Sequence, residues 1–259
     1  MDALTDSSGS VVRLSRGDLS VTLYLGDCLD VLPTLPDESM EMIWTDPPYG
    51  HSNHEGDWNA RLNEHRGIEG RPIVNDEPEE MRTVVGGMLA QAARVLRRDC
   101  CCCCCCCGGG GGPKPTFAWV AMRMDTDGLS FFHSVIWDKV NPGLGWRYRR
   151  QHEMVMVAHR TGGKLAWNDE YPAQSNVMRM SKPSDDCHPN VKPIELVQRF
   201  IQQHTQPGAT VLDPFMGSST TGIACLRTGR NFIGIEKDPT HFATAVERIK
   251  REVNQGVLL

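Results

Sequence analysis

Asp46 stands at the end of an apolar run, Met40, Met42, Ile43 and Trp44, and is followed at once by Pro47, Pro48, Tyr49 and Gly50. The run reads as the end of a buried strand. Two successive prolines forbid helix and remove two backbone donors, so the turn that follows is stiff. A carboxylate, the Pro47 carbonyl and the Tyr49 ring are thereby held at the carboxyl end of a strand, where open α/β sheets bind ligands. That set suits an exocyclic amine on a base ring. Such a nitrogen is a poor nucleophile because its lone pair is delocalised into the ring. A carboxylate and a carbonyl that each accept one N–H turn the lone pair out of the ring plane, and Tyr49 can hold the ring by stacking. A positively charged methyl donor placed in line completes a transfer that rests on positioning and electrostatics. The same residues also read as a Pro-rich turn ending in an exposed tyrosine, and the rest of the chain has to decide.

A second constellation lies far downstream. Residues 209–222 read as a strand, a small-residue turn and a helix start, with Asp213, Phe215, Gly217 and Ser219 in the turn. The helix over 220–228 ends at Gly229, and a strand over 231–236 ends in Glu236. A strand, turn, helix and second strand tipped by an acid for ribose hydroxyls is a nucleoside-binding plan. A phosphate-binding P-loop needs Lys after its second glycine, but Ile223 follows Gly222. A dinucleotide fingerprint needs glycine where Ser219 stands.

Taken together, these residues carry a resemblance. Thr45-Asp46-Pro47-Pro48-Tyr49-Gly50 resembles the Asp/Asn/Ser-Pro-Pro-aromatic motif of the amino-methylating DNA methyltransferases. Asp213-Pro214-Phe215-x-Gly217-x-x-x-x-Gly222 resembles their S-adenosylmethionine motif, and His188-Pro189-x-x-Lys192-Pro193 resembles the motif that helps hold the methionine end. The catalytic motif precedes the cofactor motif, the permuted order of the β group of that family. The resemblance covers nearly the whole chain after residue 15. It implies a Rossmann-like α/β fold: a mostly parallel twisted sheet with helices on both faces, acting on a base flipped from double-stranded DNA. Asp46 and Pro47, stiffened by Pro48, would orient the amine and Tyr49 would stack on the base. Glu236 would hold the ribose of S-adenosylmethionine, with Asp27, beside Cys28, near its adenine. Asp213, Phe215, Gly217, Ser219 and Lys192 would line the remainder, toward the methionine end. Asp27 can equally be a turn former. Asp in the first motif position points to adenine N6, since the N4-cytosine members more often carry Ser there. Cytosine C5 chemistry needs a Pro-Cys nucleophile, and no cysteine here follows proline. The alternatives are N4-cytosine methylation and a silent DNA-binding protein of the same fold. The resemblance leaves a homodimer and a companion restriction endonuclease open.

The elements that must position these residues are legible in part. Residues 19–25 alternate as a strand, 29–35 suggest a short helix, and 51–76 form a polar loop that the resemblance makes a flap over DNA. A helix capped by Asp76, with Pro78 in its first turn, carries a stripe from Met81 to Leu96 and closes on Arg97 and Arg98. Residues 117–122, 130–137 and 154–158 read as buried strands, and an apolar helix follows Pro193. The domain spans 11–259: a catalytic half over about 11–160, a short DNA-recognition segment over about 161–186 and a cofactor-binding half over about 187–250.

Eight of the eleven cysteines form the run 100–107, ahead of a glycine run. They can be a thiol metal trap or a buried strand of small side chains. Alternate thiols on a strand face opposite sides and lie in a row, not at tetrahedral corners, so the buried strand is expected and no metal site is. Net charge is −5, so DNA must be met by a local basic face. Over 139–182 eight Lys/Arg stand against three acids, a local excess of five. Arg147, Tyr148, Arg149, Arg150, Lys164 and Arg179 are the expected DNA contacts, guanidiniums interleaved with an aromatic platform. No apolar run approaches membrane-spanning length and the polar start offers no signal peptide, which points to the cytoplasm.

Overall fold

The computed structural model describes residues 4–6, 9–48, 78–106, 116–142, 149, 151–182 and 192–255. Its centre is β4 (Met40–Thr45), buried along nearly its whole length because it is covered on both sheet faces. β4 pairs in parallel with β5 (Leu96–Cys106) on one side and with β9 (Thr210–Asp213) on the other. Beyond β9 lie β10 (Asn231–Glu236) and then β3 (Leu19–Leu25), also parallel. Beyond β5 lies β7 (His152–Arg160), antiparallel, then β6 (Leu129–Asp138) and the short β8 (Val177–Arg179). β2 (Val11–Arg16) and β1 (Leu4–Thr5) finish the opposite edge, completing a ten-stranded sheet among the described residues. β2 and β3 form a hairpin of which only the second strand was expected; its turn is Gly17-Asp18, with Gly17 at φ 59°.

Helices cover both faces. One core packs under α1 (Cys28–Val31), α2 (Pro78–Val95) and α3 (Thr116–Met124). The other packs under α4 (Ile194–His204), α5 (Thr220–Thr228) and α6 (Pro239–Gln255). Helices on both faces of a mostly parallel sheet make this the Rossmann-like α/β fold. β5 shows why the cysteine run sits inside it. Cys101 and Cys103 pack into the core beneath α4, and Cys100, Cys102 and Cys104 into the one beneath α2, as a period of two requires.

Two expectations fail. Residues 117–122 are helical, not a strand. Val120 and Met124 are buried while Met122 between them is 70% exposed, which a strand would not allow because all three would share one face. A short apolar run cannot by itself distinguish the two periods. The helix ahead of the cysteines also stops early, and β5 starts at Leu96. Arg97 and Arg98 are therefore strand residues, Arg97 paired with Glu41 at 2.5 Å and Arg98 donating to the Gly162 carbonyl. The expected Asp76 cap, the 51–76 loop and the glycine run lie outside the described residues.

α5 lies tight on the sheet at Gly222. A Cβ there would come within 2.4 Å of Ser219 Oγ and 2.8 Å of both Ile249 and Phe232. Gly222→Ala is therefore expected to destabilise the fold by about 1–3 kcal/mol through overpacking. A lowered urea midpoint with unchanged slope would show it.

Candidate functional site

Residues leave β4 toward β5 on one side, while β9 leads to β10 on the other. The crevice lies between the carboxyl ends of β4 and β9, the reversal point at which open α/β sheets bind ligands. Asp46, Pro47 and Pro48 line it from β4; Asp213, Pro214, Phe215, Met216 and Gly217 line it from β9. Trp44, one of its walls, is anchored on Phe200 of α4 with ring centroids 4.9 Å apart. Tyr49 lies outside the described residues.

A chain of alternating charges fixes Asp46. Lys192 Nζ donates to Asp46 Oδ2 at 2.5 Å and sits 3.2 Å from Glu153 Oε2. Lys139 Nζ donates to Glu153 Oε1 at 3.2 Å. Four residues from β4, the entry to α4, β7 and the end of β6 are thus locked together. Asp46 keeps 27% of its side-chain surface open, within a crevice walled by protein on several sides. That burial raises its pKa, against the pull of Lys192. Glu153 is also penalised by burial, yet Lys192 and Lys139 outweigh it and hold its carboxyl below the usual range. No motif announced Glu153 or Lys139; an acid amid basic residues, at the start of a strand, was the available signal.

The opposite wall is built by β10. Glu236 Oε2 accepts from Gly217 N at 2.9 Å and Oε1 from Asp238 N at 2.8 Å, leaving further lone pairs on each oxygen for a ligand's hydroxyls. Burial raises its pKa. Gly217 adopts φ 51°, a left-handed turn open to solvent space where a Cβ would meet nothing. Asp213 accepts from Thr221 Oγ1 at 2.6 Å and Phe215 N at 3.1 Å, and burial pushes its pKa up to about 7. Asp27 both lines the crevice and caps α1, accepting from Leu29 N at 2.9 Å. Burial works against its ionisation, but Lys237, 2.9 Å from Oδ2, and the Leu29 N–H keep its pKa low. Cys28 beside it is a neutral thiol, pushed up to about 12 by burial. Lys237 and His241 join this wall without having been expected.

Ser219 is placed differently from the expectation. It is fully buried at the N-cap of α5 with φ 64°, which turns it under the helix instead of toward the crevice. The expected DNA contacts also divide. Arg149 and Arg179 lie on the crevice side of the sheet: Arg179 pairs with Asp138, at the carboxyl end of β6, at 3.7 Å, and Arg149 Nη2 donates to the Pro142 carbonyl in the β6–β7 connection. Lys164 is tied through its backbone N–H to Asp99 at the amino end of β5. Asp99 lies in the bulged start of β5, before the stretch Cys101–Cys104 that pairs with Met42–Thr45, so Lys164 is held toward the opposite end of the strands from Asp46. Arg147, Tyr148, Arg150 and His188 lie outside the described residues.

A model of the DNA methylase family matches residues 40–247. The chain is 24% identical over 261 residues to the type II methyltransferase M.HinfI of Haemophilus influenzae, covering 93% of this chain and 71% of that protein. It is 26% identical to the type II methyltransferase M2.MboI of Moraxella bovis, over 85% of this chain and 84% of that one. The crystal structure of an M1.HpyAVI-SAM complex, 25% identical, matches 88% of this chain and 99% of its own with a TM-score of 0.63.

The charge chain has a direct consequence for Asp46, because Glu153 pushes its pKa up and Lys192 pulls it down. In Glu153→Gln the Asp46 carboxyl is expected to titrate at lower pH than in the parent, and in Lys192→Gln at higher pH. Carboxyl 13C NMR titration reads both. Coincident midpoints in all three proteins would detach Asp46 from the chain of charges.

Proposed function

The chain belongs to the DNA methylase family, and from that premise we propose that it transfers a methyl group from S-adenosylmethionine to N6 of an adenine flipped out of duplex DNA. The observation that carries the reading is the charge of the crevice below the Asp46 turn. Asp27, Glu236 and Asp238 line its donor wall beside Lys237, with Asp213 beneath and the Asp46–Lys192 pair opposite. A cationic donor bearing a sulfonium and an ammonium fits such walls, and an anionic pyrophosphate does not. Phe215, Met216 and Ile235 supply apolar surface for a nucleobase, and Glu236 supplies acceptors for ribose hydroxyls.

S-adenosylmethionine, once bound, provides an electrophilic methyl group. The residues do the rest by position. Asp46, its Oδ2 held by Lys192, accepts one N–H of the amine, and the Pro47 carbonyl accepts the other. The nitrogen lone pair then points out of the ring plane toward the donor wall. A carboxylate of raised pKa is also a suitable acceptor for the proton the nitrogen sheds as its new bond forms. Tyr49 stacks on the ring. A stacked, paired amine is out of reach of these groups, so the base must leave the helix. Arg149 and Arg179 stand on the side from which DNA presents it, with Arg147, Tyr148 and Arg150 nearby in sequence. Homodimerisation and a companion restriction endonuclease enter this proposal through the resemblance alone, and a cytoplasmic location through the sequence reading; no helix among the described residues is long and apolar enough to cross a membrane.

Nucleoside mass spectrometry of unmethylated genomic DNA incubated with the protein and S-adenosylmethionine is expected to show N6-methyladenine. N4-methylcytosine would keep the mechanism and overturn the base. No modified base across DNA of varied sequence would overturn the reading.

Placement on the sheet sorts the basic residues in a second way. Arg149→Ala and Arg179→Ala are each expected to weaken DNA binding and to reduce the slope of log affinity against log salt by about 1. Lys164→Ala is expected to leave both unchanged. Fluorescence anisotropy across a salt series measures this.

A further inference from the structure

The cysteine run has no part in methyl transfer, but one face of it meets a third donor that the sequence did not reveal. Cys101 Sγ and Cys103 Sγ lie 4.0 Å apart beneath α4. His204, the last residue of α4, brings an imidazole nitrogen to them, so that three ligand atoms lie within 4.8 Å of one another. All three residues are buried. His204 Nδ1 lies 2.7 Å from the Ala166 carbonyl, which only accepts, so Nδ1 carries the proton and Nε2 keeps its lone pair. A backbone carbonyl orienting the second ring nitrogen is the usual support of a metal-binding histidine. Trp167 packs edge-on against the ring at 5.6 Å and Phe200 at 6.1 Å, which restricts it further.

The geometry points to a three-coordinate site for a soft monovalent cation, Cu(I), held by Cys101, Cys103 and His204. Donors about 2.3 Å from a central ion at trigonal corners lie about 4.0 Å from each other, which is the observed sulfur–sulfur separation. A disulfide would need about 2.05 Å. Structural zinc takes four ligands, and no fourth His, Cys, Asp or Glu joins the trio among the described residues. Thiolates in an apolar setting favour Cu(I). Each thiol that ligates gives up its proton to solvent, and the ion takes its place. A cavity lined by Glu41, Cys100, Trp167 and His204 borders the histidine. Once bound, the ion ties β5 to α4 behind the crevice.

The test is competition for Cu(I) between the reduced whole protein, under anaerobic conditions, and a chromophoric Cu(I) chelator, together with X-ray absorption at the copper edge. The parent protein is expected to retain one Cu(I) per chain, with two sulfur scatterers and one nitrogen. Cys103→Ser and His204→Gln are each expected to weaken retention about ten-fold or more. Cys102→Ala, which alters the opposite face of the same strand, is expected to change nothing. Failure to retain Cu(I), an all-sulfur spectrum, or equal loss in Cys102→Ala would overturn the site. The spectrum of the parent protein decides even where a variant does not fold.

Discussion

A carboxylate placed at the tip of a buried central strand has to be paired, and the pairing of Asp46 with Lys192 is the constraint on which the rest of the site depends. Desolvating Asp46 alone would drive it to the neutral form, which accepts hydrogen bonds poorly. Lys192 opposes this, but it is itself buried and needs Glu153, which in turn needs Lys139. Removing one member of such a chain leaves an uncompensated buried charge, at a cost of about 3–5 kcal/mol. The chain also couples four separate elements. The carboxylate is positioned by the fold before any substrate arrives, the condition under which electrostatic catalysis needs no reorganisation.

The sheet order completes the arrangement. β4 and β9 are far apart in the chain yet adjacent in the sheet, so the Asp46 turn and the Gly217 turn open onto one crevice. Strand pairing, not chain order, brings the amine-orienting groups against the donor wall. The permuted order of motifs therefore leaves the chemistry unchanged. Glu236 serves both purposes on that wall: it clamps the Gly217 turn through one oxygen and the start of α6 through the other, while retaining lone pairs for a ligand.

What the sequence made legible follows from how local each signal is. The Asp46 turn and the β9–α5–β10 unit are written in prolines, glycines and short-range periodicity, and the structure forms both. The cysteine strand was likewise readable from the period of two, but His204 was not, because it reaches Cys101 and Cys103 from a helix a hundred residues on. Glu153 was hidden for the same reason: its partners come from other elements. Residues 117–122 carry no periodic contrast until the core that buries Val120 and Met124 is known. Lys164 shows the limit of counting charge along a window. β7 runs antiparallel to its neighbours, so residues beyond Arg160 return to the sheet edge opposite Arg149 and Arg179. Ser219 at φ 64° is buried under α5 although its neighbours Ser218 and Thr220 line the crevice, a distinction that residue spacing does not carry.

The central claim is that Asp46 acts on the amine and not on the donor. Single-turnover transfer of tritiated methyl groups to duplex DNA, with S-adenosylmethionine affinity measured on the same preparations, tests it directly in Asp46→Ala. The account predicts that transfer falls about 100-fold or more while donor affinity changes little. Undiminished transfer, or a loss that matches a parallel loss of donor binding, would contradict it.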